Sequence, residues 1–398
     1  MFSRIAGLVV SLLLYIGCVG CGHRIPAKQP TFPGLGSHHP IPTEEPLAQR
    51  YFDQGLTWLY AFNPDTATRS FEAALERDPT CGLCLWGMAY ALGPNLAHPR
   101  PRSSQSSQSQ ILDLLAKGYA LTTDRPTRAY LWALGQRYSP LETLKTPSEH
   151  DQALQYAGAM RSLKTLFPED RDAATLYAEA LMLLSPGQYW TTTGQPGPYT
   201  EEILTTLEGV LTRDPNHPGA NHLYIHALEG SPTPERALAS AERLERLVPA
   251  AGHLLHMPAH LYVRLGRFDD AYRVGLKAIR ADRDVLVGAE IWRSNYARTF
   301  YPHHLGCLLA AAQGLQAAAP LSSAKLNSAC GEVAGANWHG YPAGSEKTDS
   351  IPVEIDQPAA ESAESAVLDP RQPTPPRDSA IAGPRLPLGP EANEMAQR

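Results

Sequence analysis

The chain has no surplus of positive charge and no basic stripe: 34 Lys and Arg stand against 40 Asp and Glu, a formal net charge of −6. Nucleic acid is therefore not an expected partner, since clustered cations carry that interaction. Standard catalytic signatures are missing as well. There is no H-E-x-x-H, no G-x-S-x-G, no phosphate-cradling G-x-x-x-x-G-K-[ST] and no G-x-G-x-x-G opening a βαβ unit. Ser322-x-x-Lys325 stands without its companion motifs. The lack of C-x-x-C-H argues against covalent haem. Strand patterning is absent from the two insertions between helical segments, the Ser/Gln run Ser103 to Gln110 and the Gly-, Pro- and Thr-rich stretch Ser185 to Thr200. These absences point to an all-α chain that binds rather than one that catalyses.

The N-terminus carries one positive charge at Arg4, then an uncharged run from Ile5 to Gly17. That run stops short of the roughly 20 apolar residues a spanning helix needs, and its order of features is that of a secretory signal. The junctions Gly17-Cys18 and Gly20-Cys21 resemble bacterial lipoboxes. The resemblance implies that Cys18 or Cys21 receives diacylglycerol, and that the protein is held on a membrane of the bacterial envelope. With Val19 or Gly22 following the cysteine rather than aspartate, it implies the outer membrane, facing the periplasm. Each buried CH₂ of a lipid contributes about 0.8 kcal/mol, so two or three acyl chains anchor firmly. The chain divides into an expected signal segment at 1–21, a Pro-, Gly- and His-rich tether at 22–43, a helical domain at 44–335 and a Pro/Ala-rich tail at 336–398. The tail has little to bury and is expected to be disordered.

Within the helical domain the stretch GLTWLYAFNPDTATRSFEAALERDP fits a 34-residue unit: Gly55 falls at position 8, Ala67 at 20, Phe71 at 24, Ala74 at 27 and Pro79 at 32. Ala237, Ala241, Leu244 and Pro249 fall in the same frame of a unit starting near Pro218, and Ala271, Ala278 and Asp282 in the next. A weaker copy has Ala153, Ala157 and Met160 and ends in Phe167-Pro168. Further helices are expected over 172–184, 128–138 and 291–300. The pattern resembles the tetratricopeptide family, in which small residues sit where two helices cross closely and an aromatic wedges between them. The resemblance implies a solenoid of four to six antiparallel helix pairs, with the first helix of each lining a concave, partner-binding groove. The stretches NHLYIHALE and GHLLHMPAHLYVRLGRFDDA are also similar to bacterial exported repeat proteins of no clear activity.

The family's contact positions 2, 5, 9, 12 and 13 hold five histidines and a glutamate here: His222, His226 and Glu229 in one unit, and His253, His256 and His260 in the next. Thirty-four residues separate His222 from His256, and His226 from His260. Spacing by four puts each pair on one helical face, and side chains from neighbouring helices 8–10 Å apart can meet on one ion. His222, His226, His256 and His260 form the candidate set for zinc or another transition metal, with Glu229 as a further ligand or an orienting acceptor. His303 and His304 are placed to reach the same wall. Pro258 bears on the second pair, since a helix beginning near Met257 would leave His256 outside it.

Three readings stay open: a metal cluster, a polar groove for a peptide or small ligand, and histidines that only satisfy the core. The leading expectation is an envelope lipoprotein acting as a scaffold for a protein or peptide partner. The alternative is a metal-dependent enzyme or a metal carrier, for which Glu229 is the only evident general base. Cys81 and Cys84 form a C-x-x-C that reads as a small disulfide or two buried thiols, while Cys307 and Cys330 stand apart.

Overall fold

A computed structural model describes residues 38–96, 105–138, 148–288, 291 and 293–316. Cys18 and Cys21, the signal segment 1–21, most of the tether and the tail 336–398 lie outside the described residues. Thirteen α-helices and one short 3₁₀ turn, Pro234–Ala237, account for most of what is described. In chain order they are α1 (Pro46–Tyr60), α2 (Pro64–Arg77), α3 (Gly82–Leu92), α4 (Gln105–Leu121), α5 (Arg125–Gln136), α6 (Glu149–Leu166) and α7 (Arg171–Met182). There follow α8 (Thr200–Arg213), α9 (Pro218–Leu228), α10 (Leu238–Leu247), α11 (Gly252–Arg264), α12 (Phe268–Gly288) and α13 (Asn295–Gln316). Among the described residues the only β pairing is an isolated bridge, Trp190 to Pro196, inside the 185–200 insertion. The chain is all-α.

Helix starts follow ordinary capping chemistry. Asn63, Asp124, Asp170 and His217 each accept a hydrogen bond from a backbone N–H in the first turn of the helix they precede, and Ser148 with Asp151 closes a capping box on α6. Proline occupies the first turn of α1, α2, α5 and α9, where its missing N–H costs nothing.

Successive helices pack in pairs, α1 on α2, α3 on α4, α5 on α6, α7 on α8, α9 on α10 and α11 on α12, with α13 against both α11 and α12. The first members of the pairs form the inner layer. All eleven residues of α9 are buried, as are eleven of the twelve in α7, whereas α10 buries only Ser240, Ala241 and Leu244. A helix enclosed on every side must satisfy each polar group it carries, and α9 carries Asn221, His222 and His226. In the first pair, Phe71 sits where small residues leave room: a Cβ added at Gly55 or at Gly87 would come within 2.5 Å of its ring.

Four expectations are corrected. From 105 onward the Ser/Gln run is not an insertion between helical segments, because it forms the start of α4. Residues 38–43 are not tether: His39 and Ile41 are buried, and Gln49 hydrogen-bonds the backbone of both. The last helix does not stop near Phe300 but runs through Pro302 to Gln316. Proline in a helix interior costs about 3 kcal/mol, here offset by burial of His303, His304 and Cys307 beyond it.

The fourth correction concerns openness. The face expected to line a groove is covered, because α1 packs on α9 and α13 packs on α11 and α2. His222, His253 and His256 have no exposed surface and His226 has 8%.

Candidate metal centre

α11 begins at Gly252, so His256 and His260 lie one turn apart within it, and Pro258 between them interrupts only one backbone bond. α13 brings His303 against them. Their three Nε2 atoms form a tight triangle, with His256 to His260 at 2.8 Å, His256 to His303 at 3.1 Å and His260 to His303 at 3.1 Å. Cys307, one turn beyond His303, places its sulfur 4.0 Å from His260 Nε2. That sulfur is engaged in a disulfide, so it is neither a thiolate donor nor a cysteine standing apart. Cys81 and Cys84 are bonded to each other.

A second group lies alongside. His222 and His226 of α9 meet His253 of α11, with ligand nitrogens within 4.8 Å of one another. The four-histidine set expected from the sequence is therefore divided: His222 and His226 join His253, while His256 and His260 join His303. Glu229 links the halves. Its Oε1 lies 2.9 Å from His226 Nδ1 and its Oε2 3.1 Å from His260 Nδ1. Burial alone would raise the Glu229 carboxyl, but the charge of His260 and the bonds from His226 and His260 outweigh it and hold it well below the usual carboxylate range. Both Glu229 oxygens are engaged, each by the imidazole of one half.

Asp282 does the same work on the far side. It accepts from Tyr296 Oη at 2.6 Å and from His304 Nδ1 at 2.5 Å, and His304 Nε2 in turn meets His253 Nδ1 at 3.2 Å. Gly252 makes this approach possible, because a Cβ there would overlap the Asp282 carboxylate. Burial, reinforced by neighbouring imidazoles, pushes His222, His253 and His256 well below the ordinary histidine range. Rings held neutral keep the lone pairs that a metal requires.

Sequence reading reached Glu229 and every histidine of this centre, but not Asp282 as a partner or Tyr60, whose carbonyl accepts from His222 Nδ1 at 2.6 Å. The only advance signal for Asp282 was its place in the repeat frame.

A separate buried network joins the first helix pair to α7 and α9. Asp172 accepts from Tyr60 Oη at 2.6 Å, His39 Nδ1 at 2.9 Å and His217 Nε2 at 3.1 Å. It borders a cavity of about 500 Å³ lined by residues that include His39, Asp170, Phe167 and Asp214. Burial opposes the Asp172 charge, but the bonds from His217 and His39 win and hold its carboxyl well below 3.8. Burial likewise opposes the His39 charge, and the Asp172 bond followed by nearby carboxylates wins, raising it above 6.5.

The lowered Asp172 stabilises the fold above pH 3.8, and that contribution is lost as pH falls through this value and below. The raised His39 stabilises below pH 6.5, and that contribution is lost as pH rises through its folded-state value. Asp172→Asn should therefore destabilise most near pH 5, and the gap to wild type should shrink progressively as pH falls below 3.8 and narrow above pH 7, by up to about 1.4 kcal/mol per unit for each proton. Urea midpoints across pH measure this; a gap independent of pH would disprove the ionic account.

Among the described residues, no helix is long and apolar enough to cross a membrane. Neither a protein-family model nor a curated protein matches the chain.

Proposed function

We propose that this chain is an exported, lipid-anchored helical-repeat protein whose interior binds a transition-metal ion on His256, His260 and His303. The observation that carries the reading is the triangle of Nε2 atoms. Each nitrogen is either N–H or bare, and three atoms of two kinds cannot alternate around a triangle. At least one of the three contacts, all between 2.8 and 3.1 Å, must then set like against like. A cation at the centre removes the conflict by accepting all three lone pairs. Tetrahedral ligation at 2.0–2.1 Å needs nitrogens about 3.3 Å apart, a spacing these rings reach by small rotations. The all-imidazole donor set suits zinc, copper, nickel or iron and not magnesium or calcium.

The arrangement supports storage, transfer or structural use of the ion over hydrolysis. Three protein ligands do leave a fourth position open. Against an enzyme, His256 and His303 are buried, only the His260 edge is partly exposed, and no base stands ready. Covered histidines also disfavour this face as a peptide groove, so a protein or peptide partner would dock elsewhere. The tetratricopeptide-like repeat is supported by the six packed pairs and by Phe71 wedged against Gly55. The envelope location and the anchor on Cys18 or Cys21 are supported by the signal-like N-terminus alone.

Elemental analysis of the purified chain, followed by Zn(II) and Cu(II) titration after chelator treatment, tests the reading; a chain that binds neither ion above micromolar affinity would refute it. Glu229→Gln keeps the size of the side chain but removes the charge that orients His226 and His260. Such orienting partners govern affinity by about 10- to 100-fold, and a loss in that range is expected by competition with a chromophoric chelator.

A further inference from the structure

We infer that His222, His226 and His253 form a second ion site, making this a two-ion centre organised around one carboxylate. The hydrogen-bond partners of these rings fix where their protons lie. In a neutral imidazole one nitrogen carries the hydrogen and the other a lone pair, and the partner of the first decides which is which. His222 Nδ1 faces the Tyr60 carbonyl at 2.6 Å, an obligate acceptor, so the hydrogen is on Nδ1 and Nε2 is bare. His226 Nδ1 faces Glu229 at 2.9 Å, so in a neutral His226 ring the hydrogen is on Nδ1 and Nε2 is bare as well.

For His253 the hydrogen-bond chain is one link longer. With a neutral His304, its Nδ1 hydrogen goes to Asp282 and its Nε2 accepts; His253 Nδ1 then donates to it, and His253 Nε2 is bare. The three buried rings each offer one nitrogen to a set whose members lie within 4.8 Å of one another. The Nε2 atoms of His222 and His253 reach no donor among the described residues. Buried acceptors are otherwise nearly always satisfied, and what three convergent imidazole lone pairs accept is a transition-metal ion.

The surroundings fit an ion held away from water. Phe62 packs its ring on all three imidazoles, with centroids 4.6 Å from His222, 5.2 Å from His253 and 6.0 Å from His226. It does so from a backbone φ of +54°, the only positive value at a non-glycine among the described residues. For a bulky side chain this conformation is costly and persists only where the structure imposes it. The same short turn after α1 supplies the Tyr60 carbonyl to His222, so one segment provides both a wall and an orienting acceptor. Glu229 spans the two groups, holding His226 of one and His260 of the other. The sites share that carboxylate but no ligand, so the two readings fail separately. The donor set specifies a late first-row ion such as Cu(II) or Zn(II).

The test counts ions on the full-length chain after stripping with chelator and saturating with Zn(II) or, in parallel, Cu(II). Two ions per wild-type chain are expected, one in His253→Asn, one in His303→Asn and none in the double variant. Circular dichroism checks folding, and His226→Asn replaces His253→Asn if the latter does not fold. A single wild-type ion that survives His253→Asn and His226→Asn but is lost in His303→Asn overturns the second site and leaves the first. One ion lost in all these variants means a single shared ion and also overturns it. Two ions retained in His253→Asn and His226→Asn overturn it as well, and no ion at all removes both sites. Should neither variant fold, the wild-type count decides: two supports the second site and fewer overturns it.

Discussion

Alanine in place of His260 is expected to weaken ion binding at the His256, His260 and His303 triangle by more than 100-fold while the chain stays folded. The size of the effect follows from what is removed. Orienting partners alone govern affinity by about 10- to 100-fold. His260→Ala removes a ligand and also leaves Glu229 Oε2 without the imidazole it holds at 3.1 Å. Folding should survive because His260 is the most accessible of the three, with 15% of its side chain exposed, so its loss opens a site at the edge and not a sealed cavity. Calorimetric titration of the stripped variant is the measurement. Affinity within threefold of wild type would show that the triangle holds no ion. His226→Ala combined with His260→Ala takes one ligand from each group, and should leave no tight binding of any kind.

The second large effect concerns the scaffold. Phe71→Ala should destabilise the fold by about 3–5 kcal/mol, the range for emptying a fully buried aromatic position. Phe71 has no exposed surface and fills the space left by Gly55 on one side and Gly87 on the other, so three helices lose their common contact at once. Reversible urea unfolding would register this as a lower midpoint with little change in slope. A loss under 1 kcal/mol would mean the first pair is not a wedge-packed repeat. Phe71→Leu, which refills most of the volume, should recover much of the stability.

The first helix pair was legible because small and aromatic residues at fixed offsets suit two helices crossing closely. Gly55 and Phe71 could be paired from their positions alone, and they meet. The histidine pairs were legible for a similar reason: a spacing of four fixes a shared face, and an offset of 34 puts the two faces on successive units. His226 and His260 do come together, on the two oxygens of Glu229.

What the sequence by itself determined, then, is everything that follows from distance along one or two adjacent helices: the all-α class, the helix pairs, and an inward row of imidazoles beside a carboxylate. Only the tertiary structure decided how those imidazoles are shared. α13 returns across α11 to add His303 to one group and, through His304 and Asp282, to aim His253 into the other. The turn after α1 closes the second group from a point 162 residues away from His222. Such contacts depend on how the array closes on itself, a sum of many small packing rotations that no periodicity in the chain encodes. For the same reason a face that looks like an open groove in the repeat pattern is the buried interior of the folded protein.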